Sequence, residues 1–416
     1  MFLPPPGARP EAPPQPGGIR GGGLQPFFRH RERGLHIVTL ALFWISLTLI
    51  GYSQVGYTAL ILAWAAGRPR EVQGKERLPR ISILVVVHNE AARIEGRIEN
   101  LLALDYPKDQ LEIVVGSDGS TDDTAPRARA YEGAGVRVLA FHRRRGKTAV
   151  LNDLVPRCRG EIVVLADARQ RFEVGAIRAL VRRFDDQRVG AAGGELILVD
   201  DTGTTPVGKG VGLYWKFEKS IRLCESLVDS TVGVTGAIYA IRRNLFDPIP
   251  ADTILDDVLI PMRIVRRGYR VVFEPAARAY DRPASAAREE FVRKVRTIAG
   301  NFQMFARERW MLNPFRNRLW LQTVSHKGLR LLGPLLLGIA LATNLLLAGR
   351  LFYDWTLVAQ AVFYATALLG TLERAARKIP VVGVPYTICL FNWATVVAFL
   401  HFLTGRQRVT WERAEA

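Results

Sequence analysis

Four clusters of polar residues that could bind a charged ligand each follow a short apolar run of the chain. In the second cluster, Asp118 stands between two glycines. A carboxylate there can accept hydrogen bonds from a base or ribose, because glycine lets the backbone approach the ligand. In the fourth cluster, the carboxylate of Asp167 could hold a divalent cation against a diphosphate. The clusters are His88–Glu90, Gly116–Thr124, Arg143–Thr148 and Ala166–Arg169.

The second cluster has a simpler explanation, and the third resembles a known phosphate-binding motif only in part. Considered alone, Gly116–Thr124 is better explained by a capping turn, since Ser, Thr and Asp are favourable N-cap residues. The cluster Arg143–Thr148 supplies cations suited to phosphate and ends like a P-loop. That motif requires Gly where Phe141 stands, so we exclude a P-loop.

A fifth candidate is the carboxylate pair Asp256-Asp257. The residues after it, Val258–Arg267, have the pattern of a helix that Gly268 ends. The pair would lie at a helix N-terminus, where the dipole favours the ionised form. An ionised carboxylate can accept the proton of an attacking hydroxyl, although an N-cap explains the same residues.

The elements that must position these clusters alternate between strands and helices. After the first strand, Ala91–Leu104 carries apolar residues at helical spacing. Such alternation predicts a mainly parallel sheet covered by helices, with ligands at the carboxyl ends of the strands. The predicted strands are Ile81–Val87, Leu111–Val115, Val136–Phe141, Ile162–Ala166 and Arg270–Phe273.

Six motifs between about Ile81 and Gln303 occur in the order of a known family: VVVHNEA, IVVGSDGSTDDT, RGKTAVLN, VVLADARQ, GVTGAIYAIRR and ILDDVLIPMRIVRRGYRVVFEP. The chain resembles the membrane-bound family 2 glycosyltransferases. This branch includes cellulose, chitin, hyaluronan and poly-N-acetylglucosamine synthases and ceramide glucosyltransferase. The resemblance implies an α/β GT-A domain with a mainly parallel sheet, joined to transmembrane helices. It also implies inverting transfer from a nucleotide sugar, usually a UDP-sugar, to an acceptor hydroxyl.

The resemblance assigns roles to residues that match the family's motifs. Asp257 is the expected general base beside Asp256, and Asp167 is the first residue of the family's Asp-x-Asp motif and the expected metal ligand. The donor would be bound by Glu90, Asp118, Lys147, Asp167 and Arg169, and the acceptor by Thr235, Gly236 and Arg296.

Two departures from the family pattern qualify these roles. Arg169 stands where the family has its second Asp, so the implied Mg²⁺ or Mn²⁺ would lack one ligand, or Arg169 would offset the diphosphate charge directly. The stretch Arg293–Thr297 keeps the Arg of the synthases' Gln-x-x-Arg-Trp motif but has Thr297 in place of Trp. In the synthases that Trp stacks on the acceptor sugar, so we expect transfer of one or a few sugars.

Apolar blocks frame this domain and predict a multi-pass membrane protein. Each block has the ~20 apolar residues that a span needs. The expected parts are a Pro/Gly-rich disordered tail (1–35), a transmembrane helix (36–66), the GT-A domain (78–283), amphipathic interfacial helices (285–325) and three transmembrane helices (331–349, 355–372 and 379–404). With one span before the domain and three after it, both termini would be outside, yet Arg residues flank both ends. One block is therefore a candidate for a re-entrant or interfacial segment.

The charge pattern places the catalytic domain in the cytoplasm, at the inner (plasma) membrane. The chain has 57 Lys+Arg and 39 Asp+Glu, a net charge of +18, and basic residues flank the domain on both sides. By the positive-inside rule those flanks are cytoplasmic, and they explain most of the charge without nucleic acid. Cys158, Cys224 and Cys389 lie far apart without CxxC or Cys/His spacing, so the sequence indicates neither a disulfide framework nor a zinc cluster.

The helix predicted around Phe291, Val295, Ile298, Phe302 and Phe305 is amphipathic. It would either lie in the membrane interface or pack on the domain core. The expected partners of the protein are a nucleotide-sugar donor, a lipid or glycan acceptor and membrane lipids. The alternatives are a processive polysaccharide synthase that extrudes its product and a catalytically inactive membrane scaffold.

Overall fold

The computed structural model describes residues 25–67, 77–199, 209–282, 287–373 and 375–406. Within them, eight strands form one mixed sheet. The strands are β1 (Ile81–Val87), β2 (Leu111–Asp118), β3 (Val136–Phe141), β4 (Ile162–Ala166), β5 (Arg171–Phe172), β6 (Val189–Leu198), β7 (Ile238–Arg242) and β8 (Arg270–Asp281).

The sheet order β3-β2-β1-β4-β7-β6-β8-β5 is mainly parallel, as predicted. Strands β3, β2, β1 and β4 are parallel neighbours, and so are β6 and β8, whereas β7 runs antiparallel to β4 and β6. Strand β5 pairs with β8 in the antiparallel sense. The carboxyl ends of β1, β2 and β4 therefore meet at one edge of the sheet, where the first, second and fourth polar clusters begin.

Burial on both faces explains why the central strands are continuously apolar. In β1, Ile81, Ile83 and Val85 pack into one core, while Leu84 packs into the core on the opposite face. A strand that is covered on both faces has no solvent-facing side, so its sequence does not alternate between apolar and polar residues.

Helices cover both faces of the sheet and lead into the apolar segments. The α-helices are α1 (Gln25–Gly51), α2 (Tyr57–Gly67), α3 (Ile94–Leu102), α4 (Thr124–Arg129), α5 (Lys147–Leu154), α6 (Ala176–Arg182), α7 (Lys209–Val228), α8 (Asp256–Arg266), α9 (Ala287–Arg307), α10 (Trp320–Gln322), α11 (Leu329–Leu331), α12 (Gly333–Leu346), α13 (Leu351–Leu372) and α14 (Pro380–Leu403). Two π-helices, Tyr52–Gly56 and Thr323–Gly328, join α1 to α2 and α10 to α11.

The first apolar block is a long helix that begins earlier than the sequence predicted. Residues 1–24 of the predicted tail lie outside the described residues, but helix α1 begins at Gln25, within the predicted tail. Pro26 is compatible with that start, because proline is tolerated in the first turn of a helix. The predicted domain end at residue 283 also lies outside the described residues.

Three described helices are long and apolar enough to cross a membrane: Gly34–Gly67, α13 and α14. The predicted span 331–349 has a different form, because α12 begins at Gly333 and is bent by 62° from the helical stretch Trp320–Leu331. Its 14 residues extend ~21 Å, short of the ~30 Å hydrocarbon core. Pro334, which cannot continue a preceding helix, stands at this bend. The two stretches make a fourth candidate only as one broken span or re-entrant segment.

Helix α9 packs on α14 and, through Met304 and Phe305, on the core of the catalytic domain, which is the second of the two predicted alternatives. Val295 and Ala299 form a cluster with Ala394 and Ala398. The ring of Phe302 lies 5.2 Å from that of Phe399. The amphipathic helix thereby connects the catalytic domain to a candidate membrane span.

Candidate active site

Asp118, at the end of β2, forms hydrogen bonds with the third polar cluster, Arg143–Thr148. Its two carboxylate oxygens accept hydrogen bonds from the backbone N–H groups of Arg145 and Gly146, each at 2.8 Å. Gly119, with φ of +62°, lets the loops meet, since a Cβ there would lie 2.4 Å from the backbone nitrogen of Arg144. Asp118, a predicted donor ligand, therefore also holds the basic loop in place.

The first and second clusters form one hydrogen-bonded unit at the ends of β1 and β2. Asn89 adopts a left-handed conformation with φ of 53°, and its side-chain oxygen accepts a hydrogen bond from the backbone N–H of Thr121 at 2.8 Å. The backbone N–H of Glu90 donates to the Thr124 hydroxyl at 2.7 Å. The Glu90 carboxylate lies 2.9 Å from the Arg93 guanidinium. Glu90 is therefore positioned beside the Asp118 loop, as the motif order implied.

Lys147 lies between the carboxylate of Asp167 and the carboxylate pair Asp256-Asp257. It is the first residue of α5, and its Nζ lies 2.9 Å from Asp167 Oδ1 and 3.2 Å from Asp256 Oδ2. Burial disfavours the ammonium charge, but the carboxylates of Asp167 and Asp256 outweigh burial and raise the pKa of Lys147 above its usual 10.5. A permanently charged ammonium therefore lies between residues that are 89 positions apart in the sequence.

Asp257 is held at the N-terminus of α8 by the loop that precedes β7. Its Oδ2 accepts a hydrogen bond from the backbone N–H of Gly236 at 3.0 Å, and its carbonyl oxygen accepts one from Val234 at 2.9 Å. Burial, together with the neighbouring charge of Asp256, raises the pKa of Asp257 from 3.8 to about 6, against the opposing effect of Lys147 and Lys327. The carboxylate is thus ionised at neutral pH yet able to take up a proton.

The structure adds Tyr239 to the site. This fully buried residue of β7 donates a hydrogen bond from its hydroxyl to Asp256 Oδ2 at 3.3 Å. Burial, with the Asp256 charge, raises the pKa of Tyr239 well above 10.0 and keeps it a donor. Tyr239 lies in an apolar strand segment, IYAIR, and nothing in that segment indicates a polar role.

Arg169 faces a carboxylate other than Asp167. Its Nε lies 3.1 Å from Asp281 Oδ2, at the end of β8. The same carboxylate oxygen accepts a hydrogen bond from Gln170 at 2.9 Å. The residue that replaces the family's second Asp is therefore paired with a carboxylate from a distant strand.

Helix α9 brings Arg296 towards the three carboxylates. Burial lowers the pKa of Arg296, while the charges of Asp256, Asp167 and Asp257 oppose that effect. The neighbouring Thr297 is exposed, and its hydroxyl donates to the Arg293 carbonyl one turn earlier at 3.0 Å. Thr235, the remaining predicted acceptor residue, lies beside Gly236, and its hydroxyl oxygen is 3.4 Å from the backbone nitrogen of Ala237.

The carboxylates offer a partial site for a divalent cation. Among the described residues there is no group of three His, Cys, Asp or Glu side chains that could hold a metal. Asp167 engages Lys147 through Oδ1, which leaves its second oxygen for another ligand. The residues therefore fit a cation that is held jointly by Asp167 and a diphosphate, as Mg²⁺ commonly is, and not a site made of protein ligands alone.

The chain is similar to known glycosyltransferases in sequence and in fold. Residues 82–247 match the family model "Glycosyl transferase family 2". A beta-monoglucosyldiacylglycerol synthase of Nostoc sp. is 34% identical over 164 residues, covering 38% of this chain and 34% of that relative. A poly-beta-1,6-N-acetyl-D-glucosamine synthase of Staphylococcus aureus is 23% identical over 239 residues, covering 56% of this chain and 57% of that relative. The chain thus spans between a third and three fifths of these two relatives.

A solved structure has the same fold. It is a mannosyltransferase of Pyrobaculum calidifontis in complex with GDP-Man and Mn²⁺, with a TM-score of 0.67 and 23% identity. The match covers 88% of this chain and 99% of that chain. The family match thus shows a glycosyl transferase family 2 domain at residues 82–247, and the likeness to the solved structure shows the GT-A fold.

Proposed function

We propose that the protein is an inverting glycosyltransferase that moves a sugar from a UDP-sugar to a hydroxyl of a membrane-associated lipid or glycan. The observation that carries this proposal is the placement of Asp257. Its carboxylate is oriented by the Gly236 N–H at 3.0 Å, stands at a helix N-terminus and has a pKa of about 6. A general base is most effective when its pKa lies near the working pH.

In the proposed reaction, the acceptor hydroxyl oxygen attacks the anomeric carbon of the donor sugar. The bond between that carbon and the diphosphate oxygen breaks with its electron pair, and the nucleoside diphosphate leaves. Asp257 Oδ takes the proton of the hydroxyl. Attack from the face opposite the leaving group inverts the anomeric configuration.

The leaving diphosphate requires positive charge, which Lys147 supplies at the donor side of the site. Its ammonium lies 2.9 Å from Asp167 and stays protonated across the physiological pH range. A fixed cation at a developing negative charge lowers the barrier without reorganisation. A divalent cation, when bound with the diphosphate, would be held by Asp167 and would add positive charge there. Glu90 and Asp118 are the proposed contacts to the nucleoside.

The acceptor is proposed to bind on the Thr235-Gly236 loop under α9, with Arg296 facing the carboxylates. Thr297 is exposed and offers no aromatic face on which a growing glycan could stack. This favours transfer of one or a few sugars over processive synthesis. The three candidate spans and the basic flanks of the domain support an inner-membrane protein with a cytoplasmic catalytic domain.

The test is a transfer assay with the full chain in phosphatidylcholine nanodiscs. UDP-glucose, UDP-galactose, UDP-N-acetylglucosamine and GDP-mannose are supplied separately with a membrane lipid extract. Release of nucleoside diphosphate is measured, and glycosylated lipids are identified by mass spectrometry. We expect one UDP-sugar to support release and product formation, and Asp257→Asn to abolish both while nucleotide binding persists. Binding without turnover in the wild type would favour the inactive scaffold, and turnover with GDP-mannose alone would overturn the UDP assignment.

A further inference from the structure

Glu225 is a fully buried carboxylate in the last turn of α7. A buried carboxylate is costly unless hydrogen-bond donors surround it. Its Oε1 accepts a hydrogen bond from the Tyr57 hydroxyl at 2.6 Å and lies 2.9 Å from His326 Nδ1. Its second oxygen, Oε2, accepts a hydrogen bond from the backbone N–H of Val232 at 3.4 Å. The two oxygens therefore face two different parts of the protein.

The two groups that face Oε1 come from two candidate membrane segments. Tyr57 lies in the helix Gly34–Gly67, and His326 lies in the stretch Trp320–Leu331, which with α12 forms the bent candidate span. The second ring nitrogen of His326, Nε2, lies 3.1 Å from the Glu218 carboxylate. Both ring nitrogens thus face carboxylate oxygens, and an ionised carboxylate only accepts hydrogen bonds, so the ring is an imidazolium. This cation joins the bent segment to α7 at two places.

Packing around Glu225 holds the two candidate membrane segments against α7. Tyr57 and Ile221 belong to one cluster of buried apolar side chains from α2 and α7. The hydroxyls of Tyr52 and Ser325 lie 2.9 Å apart, which joins the two π-helices. Because the Glu225 side chain has no exposed surface, water cannot replace its donors while these segments stay packed. The position of the Glu225 carboxylate is therefore set by that packing.

The N–H group that faces Oε2 belongs to the loop between α7 and β7, which orients Asp257. Two residues after Val232, the N–H of Val234 donates to the Asp257 carbonyl oxygen at 2.9 Å. Two residues later, the N–H of Gly236 donates to Asp257 Oδ2 at 3.0 Å. Gly233, with φ of +84°, lets the loop lie close to α8, since a Cβ there would be 3.0 Å from a side chain of that helix. A shift of the loop at Val232 would therefore displace the groups that hold the proposed base.

We propose that Glu225 is a positioning residue for sugar transfer, and that it makes transfer depend on the packing of the two candidate membrane segments on α7. This inference rests on the proposed function and adds a requirement for its active conformation. With both segments packed, Glu225 holds the Val232 N–H, and the loop keeps the Gly236 N–H on Asp257. When the segments separate from α7, Glu225 loses the donors on Oε1, and the loop loses its alignment with the base.

The experiment compares Glu225→Gln with the wild type in the nanodisc transfer assay, with the UDP-sugar and lipid extract that support transfer there. An amide has one acceptor atom, so the variant cannot accept both from the candidate membrane segments and from the Val232 N–H. We expect kcat to fall ~10–100-fold, the loss for a hydrogen bond to a charged group, while the KM for the UDP-sugar stays unchanged. Tyr57→Phe removes one donor and no charge, and should lower kcat ~3–10-fold.

The pH profile of kcat/KM separates positioning from a general loss of structure. A hydrogen bond to an ionised carboxylate lowers its pKa, so a weaker Gly236 contact should raise the pKa of Asp257. The acid limb should therefore move up by ~0.5–1 pH unit in Glu225→Gln and in Tyr57→Phe. Removal of the Glu225 charge alone would move it down, since a nearby negative charge raises the pKa of a carboxyl group. Both variants leave unchanged the charged residues that act most on the pKa of Asp257, which are Asp256, Lys147, Lys327 and Asp167.

A matched control is Glu112→Gln, at the start of β2 and away from the site. Glu112 is also buried, accepts a hydrogen bond from the Arg159 N–H at 2.8 Å and pairs with Arg137 at 3.3 Å. This variant should keep the wild-type kcat and acid limb. UDP binding and elution volume establish that each variant is folded.

A wild-type kcat in Glu225→Gln, an equal loss in Glu112→Gln, or an acid limb that stays or moves down would overturn the positioning role. If Glu225→Gln does not fold, Tyr57→Phe decides the question, because an unchanged kcat and acid limb in that variant would overturn the same role. Absence of donor turnover in the wild type, or normal turnover in Asp257→Asn, would instead defeat the proposed function.

Discussion

Replacement of Asp257 by Asn should separate catalysis from stability. The change removes the charge and the proton-accepting oxygen but keeps an amide oxygen that can accept from the Gly236 N–H. We expect the rate of transfer to fall ~10²–10⁴-fold, the usual loss when a general base is removed. Binding of the nucleotide should persist, because Asp257 is proposed to act on the acceptor hydroxyl.

The pKa of Asp257 sets the size of two further effects. With a value of about 6, about 90% of the carboxyl groups are ionised near pH 7 and about 10% near pH 5. The wild-type rate should therefore fall about tenfold over this interval. The raised pKa also means that the unfolded chain ionises more readily, so stability falls as pH rises from about 4 to about 6. Asn lacks that penalty, which amounts to at most ~3 kcal/mol.

The assay has two parts. The rate is followed as kcat/KM across the pH range, since this ratio reports the pKa of the free enzyme. Thermal unfolding in detergent is followed at pH 4 and pH 7. Relative to the Asp257→Asn variant, wild type should lose stability between those two pH values, so the variant should be at least as stable as wild type near neutrality.

Three results would refute this reasoning. Near-normal turnover of the Asp257→Asn variant at neutral pH would remove Asp257 from the role of base. A marked fall in its melting temperature would show that the carboxylate stabilises the fold, contrary to the direction of its pKa. An acid limb in the wild-type profile far from pH 6 would assign the proton to another group.

Three further outcomes are expected. Chelation with EDTA should stop transfer, Mn²⁺ or Mg²⁺ should restore it and Asp167→Ala should mimic chelation; full activity in excess EDTA would assign the leaving-group charge to Lys147 and its neighbours. Gly119→Ala should lower the free energy of unfolding by at least ~1 kcal/mol, because its φ is +62° and its Cβ would meet the Arg144 backbone at 2.4 Å; an unchanged melting temperature would contradict this. Because Thr297 replaces the aromatic residue, mass spectrometry should find products with one or a few added sugars, and a long polymer made in single encounters would favour the synthase.

Local patterns were sufficient to predict the mainly parallel sheet and the positions of its first four strands along the chain. Continuous apolar runs such as Ile81–Val87 indicate strands buried on both faces, and the polar residues after them mark the carboxyl ends where ligands bind. The helix after Asp257 was also predictable from its composition and from Gly268, which has φ of +93°. These strands and this helix are determined by residues that are close together in the chain, so local sequence patterns reveal them.

Contacts between distant segments were not predictable in this way. Lys147 lies between Asp167 and Asp256, and Arg169 pairs with Asp281, only because the fold brings the starts of α5 and α8 and the end of β8 close to the end of β4. Lys327 belongs in the sequence to the basic residues that flank the catalytic domain, but its charge opposes the rise in the pKa of Asp257.

Contacts within the folded protein also determined the roles of side chains that the sequence pattern did not specify. Tyr239 lies among apolar residues in the sequence, but its hydroxyl donates a hydrogen bond to Asp256. The apolar face of α9 had two predicted partners, the membrane interface and the domain core. The structure packs it on the domain core and also on α14, which the sequence did not indicate. An apolar pattern specifies that a face must be buried but not which surface buries it. The motifs therefore identify the groups that could do chemistry, while the packing of the whole chain determines which charge lies beside which.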